Sequence, residues 1–330
     1  MAFGRHLVWI GTRASKNVRT MSFYGPSDSS RTRRKVTIQT LQKMKEEDVP
    51  ITMITAYDYP SALACSSNFL VDINLVGDSL AQVCLGYKST TDLTLDEMIH
   101  HSRAVARGTT HPFLVADMPF GSYHVSLEGT ARNAVRLVQE GRVEGLKLEG
   151  GSEICGTVQK LTGMGIPVMA HVGLLPQRHV SMSGYRVQGK DAESATRVVK
   201  DALALERAGA FAVVLEAIPK ELAAHITERL RIPTIGSLYE FLTIFMAHGN
   251  LGIGAGPQTD GQVLVWDDLL GTWAGHKAKF VRRFGDLKSE RDSAIQKYAE
   301  AVKARTFPDE DTESYAIDKA VWEEFLAQNK

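Results

Sequence analysis

From residue 36 onward, short apolar runs alternate with amphipathic stretches in which apolar positions recur every three or four residues. The runs at 51–58, 71–76, 113–116, 145–148, 167–172, 212–215, 232–236 and 262–265 predict buried strands. The stretches at 37–47, 60–68, 94–107, 127–140, 152–164, 192–208 and 219–230 predict helices. Local chemistry marks their ends. Thr94 and Glu97 have the spacing of a capping box, Thr37 or Thr40 is a candidate cap, and Gly165 and Gly209 are stop signals. Regular strand–helix alternation produces right-handed βαβ units and a parallel sheet. Eight rounds fit a closed (β/α)₈ TIM barrel, with an open doubly wound sheet as the alternative. No G-x-G-x-x-G follows the first predicted strand, which counts against a dinucleotide fold.

Composition narrows the partners. The chain has 330 residues, 44% hydrophobic and 23% charged, enough for a substantial core. Its 38 basic and 38 acidic side chains balance, which argues against nucleic acid as the main partner. No apolar run approaches the roughly 20 residues of a membrane span. Cys65, Cys84 and Cys155 lack metal or disulfide spacing and read as buried thiols in a reducing compartment. Residues 1–35 stand apart. No acid precedes Asp28, and Arg5, Arg13, Lys16 and Arg19 accompany an apolar helical stripe of Phe3, Leu7, Ile10, Ala14 and Val18. That pattern predicts a mitochondrial targeting segment, followed by a catalytic domain at 36–310 and a C-terminal tail at 311–330.

The candidate chemistry lies where strands open into loops. Asp78 follows the second run, Asp117 the third, Glu149 the fourth and Glu216 the sixth. In a parallel barrel those ends share one face. Half-buried carboxylates repel one another unless a cation intervenes, and oxygen donors suit Mg²⁺. Any one acid taken alone reads rather as a helix cap or loop anchor, but Asp78, Asp117 and Glu149 at equivalent strand ends point to a shared site. Ser79 is either a contact for a substrate carboxylate or a turn residue. Lys147, two positions before Glu149, shares its side of the strand. It is either an ion-pair partner of Glu149 or a cation that grips an anionic substrate. Glu216 is a candidate base, a fourth metal ligand or a cap. His171, at the end of the fifth run, is a candidate for orienting a substrate.

Several stretches in order, Thr55-Ala56-Tyr57-Asp58-Tyr59, Val76-Gly77-Asp78-Ser79-Leu80, Ala116-Asp117-Met118-Pro119-Phe120-Gly121, Leu146-Lys147-Leu148-Glu149-Gly150-Gly151, His171-Val172-Gly173-Leu174-Leu175-Pro176-Gln177 and Val214-Leu215-Glu216-Ala217-Ile218-Pro219, resemble the ketopantoate hydroxymethyltransferase family. The resemblance implies a barrel of the phosphoenolpyruvate/pyruvate type. It implies hydroxymethyl transfer from 5,10-methylenetetrahydrofolate to 3-methyl-2-oxobutanoate, giving 2-dehydropantoate for pantothenate synthesis. In that pattern Asp78, Asp117 and Glu149 hold or orient Mg²⁺. Ser79 and Lys147 contact the keto acid, beside Asp78 and Asp117. Glu216 abstracts the proton that leaves a Mg-stabilised enolate. A homo-oligomer is also implied. Rival readings are a lyase or mutase acting on a 2-oxo acid, and a non-catalytic keto-acid binder.

One stretch departs from the pattern. Similar chains run Ile-Pro-Thr-Ile-Gly straight into Ile-Gly-Ala-Gly, whereas here residues 237–252 intervene, rich in apolar and aromatic side chains. An unspliced intron and a genuine loop at the barrel mouth are the two readings of this insertion.

Overall fold

Eight parallel strands close into a barrel in chain order, each hydrogen-bonded to the next and β8 to β1. They are β1 (Ile51–Thr55), β2 (Ile73–Val76), β3 (Phe113–Asp117), β4 (Gly145–Glu149), β5 (Val168–Gly173), β6 (Ala212–Glu216), β7 (Thr234–Leu238) and β8 (Gly261–Leu264). The helices are α1 (Ile38–Glu46), α2 (Tyr59–Ser67), α3 (Leu80–Val83), α4 (Leu95–Gly108), α5 (Leu127–Gln139), α6 (Cys155–Gly163), α7 (Ala192–Arg207), α8 (Lys220–Arg229), α9 (Trp266–Leu270), α10 (Leu287–Lys303) and α11 (Lys319–Gln328). The computed structural model describes residues 33–184, 186–238, 254–272 and 282–329. Residues Arg34–Lys330 form one compact unit.

The predicted caps form. Thr37 caps α1 with Thr40 as its reciprocal partner. At α4 the Thr94 hydroxyl accepts from Glu97 N at 3.3 Å, and the Glu97 carboxylate accepts from Thr94 N at 2.8 Å. Asp58, read from sequence as the end of β1, instead caps α2. The run had simply continued past the point where the strand stops at Thr55.

The core has two layers because strand side chains alternate. Ile51, Met53, Ile73, Phe113, Val115, Met169, Val214 and Ile235 pack with one another in one cluster. Their strand neighbours Leu114, Ala116, Leu146, Leu148, Ala170, Val213 and Leu215 belong to a second, with residues of the surrounding helices. Acids near the amino ends of the strands serve the backbone. Asp72 accepts from Thr52 N, Glu144 from Leu114 N and Asp260 from Thr234 N, each at 2.8 Å.

Three expectations need adjustment. Cys65 alone is fully buried; Cys84 is exposed and Cys155 half-buried. Ser237 and Leu238, assigned above to the insertion, belong to β7: Ser237 pairs with Glu216 on one side and Val263 on the other. Residues 239–252 lie outside the described residues. The stretch read as a tail carries α11, where Val321, Trp322, Phe325 and Leu326 are exposed. Positions 321, 322, 325 and 326 have the i, i+1, i+4, i+5 spacing of one helix face, a signal legible in the sequence.

Candidate active site

The two-residue period of the strands delivers most of the site. On β3, Phe113, Val115 and Asp117 share one side; on β4, Gly145, Lys147 and Glu149; on β6, Ala212, Val214 and Glu216. Phe113, Val115, Ala212 and Val214 pack in the barrel, and Asp117, Lys147, Glu149 and Glu216 line a cleft at its carboxyl end. The register aligns them: Asp117 opposes Lys147, and Glu149 opposes His171. Asp78 is out of phase. It follows β2 after Gly77 and reaches the cleft because the chain turns there, its N–H donating to Asp117 Oδ2 at 2.9 Å. Asp117 therefore also anchors a loop, as one of its alternative readings held.

Asp78, Ser79, Asp117, Lys147, Glu149, His171 and Glu216 all line this cleft, and each is at most 6% exposed. Lys147 Nζ donates to Asp117 Oδ1 at 2.6 Å. The ion pair is thus with Asp117, not with Glu149 as the sequence alternative had it; the neighbouring strand brings Asp117 closer than the next inward residue of the same strand. His171 lies between two acids, Nε2 3.4 Å from Glu216 Oε2 and Nδ1 3.7 Å from Glu149 Oε1, with neither nitrogen in hydrogen-bond geometry. Glu216 and Asp78 cap no helix: α8 starts at Lys220 behind Pro219 with no side-chain cap, and α3 likewise lacks one.

The electrostatics follow from burial. Burial, then repulsion from Asp117, pushes the Asp78 carboxyl up to about 7, with Lys147 and Gln177 opposing. Burial and the Asp78 charge raise Glu149 well above the carboxylate range. Burial disfavours the Lys147 ammonium, but Asp117, Glu149 and Asp78 outweigh it and the group stays charged. Burial, then the Lys147 charge, lowers His171, so its contacts to the two acids are those of a neutral ring.

Two supporting groups were not singled out from sequence. Gln177, 4% exposed, donates from Nε2 to Asp78 Oδ2 at 2.9 Å and to Met118 O at 3.0 Å. Its backbone N–H donates to Glu149 Oε2 at 3.0 Å, and its Oε1 accepts from Tyr123 Oη at 2.7 Å. A polar residue directly after the apolar run Leu174-Leu175-Pro176 was the available signal. The second group is Thr55 and Tyr57, which adjoin Ser79. Thr55 Oγ1 donates to Tyr57 Oη at 2.8 Å, and Tyr57 Oη lies 2.8 Å from Ser79 Oγ.

Gly173 sets the spacing between β5 and β6. It has φ +95°, and a Cβ there would lie 2.2 Å from the Glu216 carbonyl oxygen. Only glycine lets the chain turn so that Leu174 N donates to that oxygen at 2.9 Å. Ala217, immediately after Glu216, takes φ +49°, an uncommon conformation for a residue with a side chain.

The donor chemistry fits a hard divalent cation. Four buried carboxylates line the cleft, and Glu149 Oε1 and Glu216 Oε1 have no hydrogen-bond partner among the described residues. Among the described residues, no three His, Cys, Asp or Glu side chains stand together as a ready ligand group. Oxygens of Asp117 and Asp78 are engaged by Lys147 and Gln177.

Comparison with known proteins agrees with the geometry. The family model described as ketopantoate hydroxymethyltransferase matches residues 35–237 and 243–310, so its interruption falls within the departing stretch. A protein of Bacillus cereus (strain G9842) named 3-methyl-2-oxobutanoate hydroxymethyltransferase is 50% identical over 268 residues, covering 81% of this chain and 90% of its own. One of the same name from Bacillus anthracis (strain CDC 684 / NRRL 3495) is 49% identical over the same shares. These bacteria have no mitochondria, which overturns the mitochondrial reading of the basic segment; residues 1–32 themselves lie outside the described residues. Among solved structures, 2,3-dimethylmalate lyase, a PEP mutase/isocitrate lyase superfamily member, superposes with TM-score 0.51 at 18% identity over 89% of this chain and 99% of its own. Phosphoenolpyruvate phosphomutase from Streptomyces platensis gives 0.52 at 14%, over 88% and 97%. At such identities the likeness is one of fold.

Proposed function

We propose, from the premise that this chain belongs to the ketopantoate hydroxymethyltransferase family, that its cleft transfers a one-carbon unit from 5,10-methylenetetrahydrofolate to 3-methyl-2-oxobutanoate, giving 2-dehydropantoate. That the chain is a hydroxymethyltransferase follows from the family. The observation that carries it is the convergence of Asp78, Asp117, Lys147, Glu149 and Glu216 on one cleft.

Asp78 and Asp117 would hold a Mg²⁺ ion, with Glu149 holding or orienting it. When bound, the ion supplies the Lewis acidity that makes the C3 proton of a 2-oxo acid easier to remove. Lys147 keeps its charge and spends one of its three N–H groups on Asp117, so the others are free to meet an anionic substrate. Leu75, Val214, Val263 and Val265 give the cleft an apolar wall suited to a branched alkyl group. Glu216 has an unpartnered oxygen in the cleft and takes the C3 proton there. The enolate carbon then attacks the folate-borne methylene; the two C–N bonds to the folate break, water supplies the hydroxyl, and one water hydrogen and the C3 proton end on the folate nitrogens, so that tetrahydrofolate leaves. His171, neutral beside Glu216, orients the base and the substrate.

The test is turnover with and without the folate donor. Folate-dependent formation of 2-dehydropantoate supports the reading. Cleavage or rearrangement of a 2-oxo acid without folate sinks it in favour of a lyase or mutase. A homo-oligomer is also proposed. Its support is that α10 and α11 bury no residue while Ile295, Tyr298, Trp322 and Phe325 are exposed. A monomeric mass by light scattering would overturn it.

A further inference from the structure

Ser79 precedes α3, yet its hydroxyl does not cap that helix. It turns to Tyr57 Oη, 2.8 Å away, and this is its one hydrogen bond among the described residues. Behind Tyr57 the donors run in one direction. Trp266 N–H donates to Thr55 Oγ1 at 2.8 Å, and the Thr55 hydroxyl donates to Tyr57 Oη at 2.8 Å. Tyr57 has a single hydrogen left to place, in a site 3% exposed. Leaving it unpaired there is costly, and Ser79 Oγ is the acceptor within reach. One lone pair of the Ser79 oxygen is then engaged, and its own hydrogen has no acceptor among the described residues. Ser79 lines the cleft, so that hydrogen is available to a ligand in it. The local backbone protects the arrangement: a Cβ on Gly77 would come within 2.9 Å of Ser79 Oγ.

We infer that Thr55 and Tyr57 are positioning residues that fix the Ser79 hydroxyl as a donor to the carboxylate of the 2-oxo acid. The order matters chemically. A free serine hydroxyl can donate or accept, and so tolerates an amide as readily as an anion. With one lone pair engaged by Tyr57 and its hydrogen aimed into the cleft, Ser79 is held as a donor, and a donor gains more from a charged carboxylate than from a neutral amide. The chain thereby contributes to selectivity for the acid form of the substrate. This inference rests on the proposed substrate class and goes beyond it in assigning the residues that set the polarity of its binding site.

The experiment is a double-mutant cycle read by calorimetric titration of 3-methyl-2-oxobutanoate into the full chain with Mg²⁺ present. Tyr57→Phe should weaken binding about tenfold, as expected for a hydrogen bond to a charged group. Ser79→Ala should weaken it by a similar factor, and the double variant no further, since Tyr57 acts only through Ser79. In steady state Tyr57→Phe should raise KM more than it lowers kcat. It should also narrow the preference for the acid over 3-methyl-2-oxobutanamide. If Tyr57→Phe does not fold, Thr55→Val and Thr55→Ser take its place. The valine variant should weaken binding, and the serine variant, which keeps the hydroxyl, should restore it. A purely structural role predicts additive losses and an unchanged acid-to-amide ratio, and either result overturns the inference. Failure of the unaltered protein to bind the keto acid overturns the functional reading and this inference with it. Binding with an unaffected Tyr57→Phe, or with an unaffected Thr55→Val, overturns this inference alone.

Discussion

Gln177 and Asp78 are 99 positions apart in the chain, yet Gln177 Nε2 donates to Asp78 Oδ2 at 2.9 Å. The same residue holds Glu149 through its backbone N–H and is itself held by Tyr123. One buried residue thus holds two acids, Asp78 beyond the end of β2 through its side-chain amide and Glu149 at the end of β4 through its backbone. Replacing Gln177 by Ala should lower Mg²⁺ affinity by roughly 10–100-fold, the usual cost of removing a partner that orients metal ligands. Titration with Mg²⁺ or Mn²⁺, independent of turnover, measures it. An unchanged affinity would detach Gln177 from the metal site.

Glu216→Gln should retain Mg²⁺ and keto-acid binding while losing exchange of the C3 proton with solvent. The amide keeps the shape and loses the basicity. NMR of the keto acid in deuterium oxide follows the exchange, and a near-normal rate would remove Glu216 from the base role.

Asp117→Ala strips Lys147 of its ion-pair partner while leaving the ammonium buried. Breaking such a pair costs about 3–5 kcal/mol. Stability, Mg²⁺ affinity and keto-acid affinity should fall together. A variant that loses stability alone would confine Asp117 to a structural role.

The metal-free protein should lose stability as pH rises. The Asp78 carboxyl sits at about 7 folded against an ordinary 3.8, so between those values the folded state binds more protons than the unfolded. Its contribution is present at low pH and lost as pH climbs through about 7; Glu149 acts in the same direction. Thermal melts from pH 5.5 to pH 8 should decline, and Asp78→Asn should flatten the decline. Added Mg²⁺ should do the same by neutralising the ionised acids. A slope identical in Asp78→Asn would count against this origin.

Removing residues 237–252 should raise folate-dependent turnover and thermal stability. The new junction places Ile253 and Gly254 where Ser237 and Leu238 now extend β7. Loop length by itself costs little, so the expected gain comes from removing apolar side chains near a catalytic-face strand end. A more active, more stable full-length chain would make the segment a working loop.

The sequence by itself determined the barrel and most of the acids. A period of two within strands and near 3.6 between them is local, so the alternation and the eight strands could be read directly. The same period put Asp117, Lys147, Glu149, His171 and Glu216 on the inward side, because side-chain direction along a strand follows from parity. What only the tertiary structure decided is where that rule stops. Asp78 is out of phase and enters the cleft through a turn held by Asp117. Lys147 pairs with an acid on the next strand, a matter of register between chains of hydrogen bonds far apart in sequence. Gln177 and Tyr57 acquire their roles from partners 99 and 22 positions away. Such contacts follow no local period; they exist once the barrel has closed, and burial then makes every unpaired polar atom count.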